Sequence, residues 1–220
     1  VTIAFLGGRP AMISAATGAM VLLMITLVKD YGLQYLLATT ILTGIIQVLA
    51  GYFKVAKLMR FVSQSVVYGF VNALAILIFV AQIPELSQMD ALGYGFVALG
   101  LAVIYLFPHL PKIGKLIPSP LICIIVLSII ALFFNSDMRT VSDLGRFPDT
   151  LPIFLIPQIP LNLDTLIIIF PYAITLATVG LLETMMTTTI VNEATATEGD
   201  RHQECRGQGY ANIVSGFMGG

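Results

Sequence analysis

Residues 165–192 read TLIIIFPYAITLATVGLLETMMTTTIVN, and Glu183 carries the only formal charge in this stretch. A run this long and this apolar predicts a membrane-spanning helix, for which about 20 residues suffice. An ionisable side chain at membrane depth costs several kcal/mol (roughly 2.5 to 3.5 on insertion scales), so it usually faces water or a partner along an ion path. Thr187 follows one helical turn later on the same face, so the two side chains could form half of a small cation site. In the alternative, Glu183 is a structural carboxylate and Thr187 bonds its own helix carbonyl.

The composition excludes an ordinary soluble domain. Of the 220 residues, 57% are hydrophobic and 10% are charged, whereas soluble domains carry about 25% charged residues. The net charge of −1 gives no electrostatic reason to expect a nucleic-acid partner. The chain contains no Ser-His-Asp set, P-loop or dinucleotide fingerprint, so we do not expect an enzyme. Because it has no initiator Met and opens within an apolar pattern, we expect a piece of a longer protein.

Hydropathy divides the chain into apolar runs with few charges. Six of them reach about the length that crosses a bilayer: 11–28, 31–53, 61–84, 91–111, 116–136 and 165–192. A shorter run covers 207–220, and residues 1–8 resemble the end of an earlier span. We expect a polar, solvated loop at RHQEC, where His202 and Cys205 lack the further ligands of a metal site. Cys123 lies in an apolar run, so we expect no disulfide between the two cysteines.

The basic residues fall in alternate loops between these runs. One set of loops holds eight of the 11 Lys and Arg residues: Arg9, Lys54, Lys57, Arg60, Lys112, Lys115, Arg201 and Arg206. Because cytoplasmic loops of membrane proteins are enriched in Lys and Arg, we expect this set to be cytoplasmic. The opposite set includes segment 137–163, which contains several prolines and which we expect to be extended and external. Glu183 then lies in the cytoplasmic half of its span.

Residues 7–18, GGRPAMISAATG, predict a broken span. Arg9 and Pro10 break the preceding helix, and Ser14 and Thr17 are good helix N-caps. A helix from about Thr17 to Val28 covers roughly 18 Å of a core about 30 Å thick, so we expect it to begin near the membrane midplane. Its unpaired backbone N–H groups and positive dipole end would then form an anion site, as in transporters with broken helices. The alternative is an ordinary span with a glycine-rich start.

A short echo supports an internal repeat. Residues 5–8 read FLGG and residues 217–220 read FMGG, each at the end of an apolar segment. Corresponding helices of the two halves of a transporter share such local chemistry. If the echo reflects a repeat, a second half-helix would follow residue 220.

Several of these motifs resemble one family, the SulP-type anion permeases, which include sulfate permeases and bicarbonate transporters. The segment GGRPAMISAATGAM resembles the approach to their third span, and KLMRFVSQSVVYGFVNALAIL resembles their fifth. GLLETMMT, followed by ECRGQGYANIVSGFMGG, resembles their eighth and ninth spans. The resemblance covers essentially the whole chain, from the end of span two to the end of span nine.

The resemblance implies an all-α polytopic membrane protein with fourteen spans in two inverted seven-span repeats. Core-domain spans would occupy residues 1–57 and 164–220, gate-domain spans five to seven would occupy 58–136, and 137–163 would be the external loop. It implies that the complete protein has further spans and commonly a cytoplasmic STAS domain. It also implies a homodimer in the plasma membrane or the bacterial inner membrane.

The resemblance also implies a site. Family members hold their anion between the facing N-termini of spans three and ten. The first half of that site corresponds here to Ser14, Ala16, Thr17 and Gly18. Sodium-coupled bicarbonate members bind the cation through an Asp and a Thr four residues later, which correspond to Glu183 and Thr187. Glu in place of Asp is a departure that leaves sodium or proton coupling open.

The expected function is therefore secondary active transport of a small inorganic anion, bicarbonate or sulfate, coupled to sodium or protons. The alternatives are an uncoupled anion channel or exchanger, a dicarboxylate transporter, and a non-transporting membrane scaffold in which Glu183 is structural. Apart from a possible sodium ion at Glu183 and Thr187, we expect no metal and no cofactor. The partners expected are the anion, the coupling ion and the lipid bilayer.

Overall fold

The computed structural model describes most of the chain, namely residues 1–10, 12, 18–61, 64–110, 114, 117–134, 153–160 and 162–219. The described residues form helices and contain no strand. The α-helices are α1 (Thr2–Leu6), α2 (Gly18–Tyr31), α3 (Leu33–Tyr52), α4 (Gln64–Ser87), α5 (Ala91–Leu106), α6 (Ser119–Phe134), α7 (Leu163–Thr195) and α8 (Arg201–Phe217). Two 3₁₀ segments lie at Val55–Phe61 and Phe107–His109.

The predicted apolar runs match helices. Within the described ranges, the helical stretches long and apolar enough to cross a membrane are Leu33–Tyr52, Tyr68–Ser87, Ala91–His109 and Leu163–Thr195, and Ser119–Phe133 is a shorter apolar helix. Asn162 caps α7 by accepting a hydrogen bond from the Thr165 N–H at 2.9 Å, and Asp90 caps α5 in the same way. The predicted all-helical, polytopic membrane fold is therefore confirmed.

One expectation about the chain near its end is wrong. The segment RHQEC is not a solvated loop, because α8 begins at Arg201 and both Glu204 and Cys205 are buried. Asp200 caps this helix by accepting from the backbone N–H groups of His202 and Gln203. The hydrogen bond from Gln203 is the main reason that the pKa of the Asp200 carboxyl lies below its usual value. The polar residues that suggested a loop thus form the first turns of a packed helix.

The contacts divide the chain into two compact units. The first comprises Val1–Ile78 with Thr150–Gly220, and the second comprises Phe79–Asp149. In the second unit α5 packs on α6, where Gly100 faces Leu127 and Cys123. The predicted division into core and gate spans at residues 57 and 58 stays a prediction.

The first unit is built around α3 and α8, which pack closely along their length. A methyl group added at Gly209 would lie 2.6 Å from the Gly44 carbonyl oxygen, and one added at Gly44 would lie 2.5 Å from the Gly209 carbonyl oxygen. The two backbones can approach this closely because neither residue has a side chain, as is common between helices in membranes. α1 packs on α8, and α7 packs on α3 and α2.

The two ends of the first unit differ in chemistry. At one end Arg206 lies over the Tyr52 ring at 5.2 Å, and Lys57 and Arg201 line a cavity of about 320 Å³. At the other end the Leu155 N–H donates to the Phe217 carbonyl at 2.8 Å, and the Gln158 N–H donates to Gln34. Lys57, Arg201 and Arg206, from two of the predicted cytoplasmic loops, therefore lie at the same end of the first unit. Lys112, Lys115 and most of segment 137–163 lie outside the described residues. Which end faces the cytoplasm stays a prediction.

Candidate functional site

Three helices meet α7 near its middle, at Gly180. A methyl group placed on Gly180 would lie 2.8 Å from Met20 Cε, 3.0 Å from Gln47 Nε2 and 3.3 Å from Gln208 Nε2. These side chains come from α2, α3 and α8 respectively. Met20 belongs to the first turn of α2 as the structure describes it, so this turn lies beside the middle of a helix of 33 residues.

Residues that precede α2 contact the C-terminal half of α7. The Arg9 guanidinium donates to the Val191 carbonyl oxygen at 3.2 Å and to the Thr195 hydroxyl, at the end of α7. Met12 Sδ lies 3.4 Å from the Thr188 hydroxyl, one turn nearer the middle. Arg9, Met12 and Met20 thus contact α7 at successively earlier positions, and Val191 and Gly180 are about 16 Å apart along that helix.

The predicted broken span falls partly within the described residues. α1 ends at Leu6, and Met12, the described residue between Pro10 and Gly18, lies outside any helix. α2 has 14 residues and covers about 21 Å, too little to cross a bilayer alone. Of the four predicted anion contacts, Gly18 begins α2 and is exposed. Ser14, Ala16 and Thr17 lie outside the described residues, so the anion contacts stay a prediction.

The predicted cation pair lies one turn from Gly180. Glu183 is half-buried on α7, and Thr187 is exposed one turn further on. The Thr187 hydroxyl donates to the Glu183 carbonyl oxygen at 2.9 Å, which is the self-bonding arrangement considered as the alternative. Its oxygen keeps lone pairs that a cation could use, together with the Glu183 carboxylate, since hard cations prefer oxygen ligands. The coupling role of the pair stays a prediction.

The structure adds a set of buried and half-buried polar residues that the sequence analysis missed. We call Gln47, Thr184, Gln208 and Asn212 the polar seam between α3, α7 and α8. Asn212 Nδ2 donates to Gln47 Oε1 at 2.7 Å, and the Thr184 hydroxyl donates to Gln208 Oε1 at 2.8 Å. Each glutamine oxygen accepts one hydrogen bond within the polar seam, and both amide nitrogens lie beside Gly180.

The donors of the polar seam are incompletely used. Gln208 Nε2 reaches the Gly180 carbonyl oxygen at only 3.5 Å. Gln47 is fully buried, and its Nε2 has no hydrogen-bond partner among the described residues. A buried amide without a partner is costly, so such a group usually meets a water or a ligand. The polar seam therefore places spare N–H donors next to the first turn of α2.

The sequence carried one signal for the polar seam. Glu204, Gln208 and Asn212 recur every four residues and share one face of α8. Reading residues 201–206 as a loop hid this periodicity, because only the half from Gly207 onward was treated as a helix. The partners Gln47 and Thr184 lie far away in the sequence, so no local pattern could identify them.

Comparison with known proteins gives the class of this chain. The sequence model of the sulfate permease family matches residues 1–97 and 93–220, which together span the whole chain. The chain belongs to the sulfate permease family, and the predicted resemblance is confirmed.

Individual relatives are named as transporters, not enzymes. The chain is 54% identical over its full length to YbaR and 31% identical to YvdB, both named as putative sulfate transporters of Bacillus subtilis (strain 168). It is 24% identical to the bicarbonate transporter BicA of Picosynechococcus sp. over 99% of this chain. It covers 45%, 45% and 43% of these three proteins, so it spans less than half the length of the curated relatives it matches.

A solved structure supports the fold. The transmembrane domain of a cyanobacterial bicarbonate transporter, BicA, matches with a TM-score of 0.80 and 23% identity. The match covers all of this chain and 62% of that chain. At this level of identity the match establishes the helical membrane fold.

Proposed function

We propose that this chain forms part of a secondary active transporter that moves a small inorganic anion across a membrane. The observation that carries the proposal is the position of α2, whose first turn lies beside the middle of α7 at Gly180. A helix that begins at membrane depth presents unpaired N–H groups and a positive dipole end to whatever lies before it. Sulfate and bicarbonate are the first candidates, because relatives are named for them.

The anion is held mainly by the backbone at the start of α2. Ser14, Ala16, Thr17 and Gly18 precede or begin this helix and offer N–H groups and two hydroxyls. Small residues let an anion approach the backbone closely. The chain supplies one side of the site, and the part of the relatives that this chain does not cover supplies the other.

The coupling ion is sodium or a proton, bound at Glu183 with Thr187. Glu183 is one turn from Gly180 and therefore near the level of the first turn of α2. A cation bound to the carboxylate brings positive charge towards the anion, so each ligand raises the affinity of the other. Sodium is favoured slightly, because the Thr187 oxygen is a neutral ligand of the kind that hard cations accept.

The test is uptake by the complete transporter reconstituted in vesicles. Sulfate, bicarbonate and a dicarboxylate are offered in turn under a sodium gradient at fixed pH, and under a pH gradient without sodium. We expect Glu183→Gln to abolish gradient-driven accumulation while its amount in the membrane stays normal. Glu198→Gln is the matched control, because Glu198 is exposed in the connection between α7 and α8.

The possible results separate the candidate functions. If anion accumulation follows only the pH gradient, the coupling ion is the proton and not sodium. Movement of the anion down its own gradient with no effect of either cation means an uncoupled channel or exchanger. Wild-type accumulation by Glu183→Gln removes the coupling role of Glu183 altogether.

A further inference from the structure

Glu204 is a buried carboxylate that binds the backbone of a distant segment. Its side chain is 1% exposed. Oε2 accepts hydrogen bonds from the Gly8 N–H at 2.7 Å and the Arg9 N–H at 3.1 Å. These two hydrogen bonds join α8 to a segment nearly 200 residues earlier in the sequence and hold it in place. Neither the proposed anion site nor the cation site includes this residue.

The same segment makes further bonds to the start of α8. The Asp200 N–H donates to the Gly8 carbonyl at 3.0 Å, and Gln203 Nε2 donates to the Gly7 carbonyl at 3.3 Å. A methyl group on Gly8 would lie 2.0 Å from the Asp200 carbonyl oxygen, so only glycine permits this approach. The paired glycines of the FLGG motif therefore have a local role in contact with α8.

Arg9 joins this segment to α7 as well. The residue is buried, and its guanidinium donates to the Val191 carbonyl and the Thr195 hydroxyl. These groups belong to the C-terminal turns of α7, where the helix dipole favours a positive charge. Residues 7–9 are thus fixed both to α8 and to the helix that carries Glu183. We call these contacts the Glu204 latch.

We propose that Glu204 is a positioning residue for the anion-binding helix. By fixing residues 7–9, the Glu204 latch sets where the chain enters the membrane and hence where α2 begins relative to Glu183 on α7. The expected effect on transport rests on the proposed function, because it requires that α2 binds the anion. Its structural part, that Glu204 fixes the start of α2, is measurable without transport.

Two substitutions separate the charge of Glu204 from its shape. Glu204→Gln keeps an oxygen that can accept both N–H groups but removes the charge, and Glu204→Met keeps the approximate volume but removes the acceptor. We expect the KM for the anion to rise about tenfold in Glu204→Gln and further in Glu204→Met. A tenfold change corresponds to about 1.4 kcal/mol, near the upper end of what one ordinary hydrogen bond contributes. The maximal rate per transporter stays near wild type in Glu204→Gln.

The experiment combines these kinetics with hydrogen exchange of the complete protein in nanodiscs. We expect faster amide exchange in the peptide that contains Gly8 and Arg9, and in the first turns of α2 over 18–24, for both Glu204 variants. Glu198→Gln, at an exposed glutamate in the connection between α7 and α8, leaves exchange and KM unchanged.

Each other result contradicts a stated part of the proposal. Unchanged exchange at Gly8 and Arg9 in Glu204→Met removes the latch itself. Faster exchange there without a change over 18–24, or without a change in KM, leaves a purely local contact and overturns the positioning role. Absence of anion transport by the wild type overturns the proposed function, while the exchange over 18–24 still decides whether Glu204 positions α2.

Discussion

The contact of α8 with α3 and α7 differs sharply from the contact of α5 with α6. α5 and α6 contain no charged residue, whereas α8 reads RHQECRGQGYANIVSGF. Every helix in a membrane must satisfy its polar groups internally. α5 and α6 carry almost no polar side chains that need partners. The polar side chains of α8 find partners elsewhere in the first unit: Gly8 before α2, Thr184 on α7 and Gln47 on α3. Hydropathy therefore identifies α5 and α6 and does not identify α8.

The comparison predicts that glycine substitutions destabilise the contact of α8 with α3 and leave α5 unaffected. This difference in stability is the largest effect expected. In Gly209→Ala the new methyl group would lie 2.6 Å from the Gly44 carbonyl oxygen and 2.7 Å from the Val48 backbone nitrogen. We expect destabilisation of about 1 to 3 kcal/mol from overpacking, with loss of folded protein.

The control for this change is Gly95→Ala in α5. A methyl group there has no neighbour within 4 Å. Alanine favours a helix over glycine by up to about 1 kcal/mol, so this variant should be neutral or slightly more stable. Both are measured by denaturant unfolding of the purified complete protein. Equal effects of the two substitutions would remove the contrast between the regions.

The next prediction concerns the polar seam. Thr184→Val keeps the shape of the side chain and removes the hydrogen bond to Gln208 Oε1, which is buried. We expect a loss of stability of about 1 kcal/mol or slightly more, because a buried acceptor is left without its donor. Thr178→Val is the matched change on the same helix, because Thr178 is exposed and its hydroxyl donates to the Ile174 carbonyl of its own helix. This variant should stay within about 0.5 kcal/mol of wild type. Indistinguishable melting temperatures would mean that the polar seam does not stabilise the first unit.

The smallest effect is expected at the end of α7. Ala196 has φ of 50°, in the left-handed region that glycine adopts without a Cβ penalty. Ala196→Gly should stabilise the protein by about 0.5 to 1 kcal/mol, whereas Ala194→Gly, two residues earlier inside the helix, should destabilise it by about 1 kcal/mol. The same sign at both positions would contradict the assigned helix end.

The sequence identified the elements that depend on composition and missed those that depend on distant partners. The apolar runs predicted α3 to α7, and GGRP predicted the break before α2, because both signals are local. The position of Thr187 one turn after Glu183 was also predictable, but whether its hydroxyl is available or self-bonded was not. α8 was misread at its start because Arg201, His202 and Glu204 resemble a loop until their partners on other segments are known.

The residues of the candidate site also fall into those that local sequence patterns predict and those that only the structure reveals. The pairing of Glu183 with Thr187 follows from helix periodicity, and the anion residues follow from motif resemblance. Gln47 could not be found, since one polar residue in the apolar helix α3 becomes informative only when Asn212 and Gly180 are seen beside it. Arg9 and Glu204 are nearly 200 residues apart in the sequence, so their contact is visible only in the structure.

The central claim is that the start of α2 binds the transported anion, and the most direct measurement is anion affinity in Thr17→Val. Equilibrium binding of sulfate and of bicarbonate to the purified complete protein is compared in wild type, Thr17→Val and Thr178→Val, with sodium present. We predict about tenfold weaker binding in Thr17→Val, because a hydroxyl at the helix start is lost, and unchanged binding in Thr178→Val. Equal affinity of Thr17→Val and wild type for both anions would contradict the account.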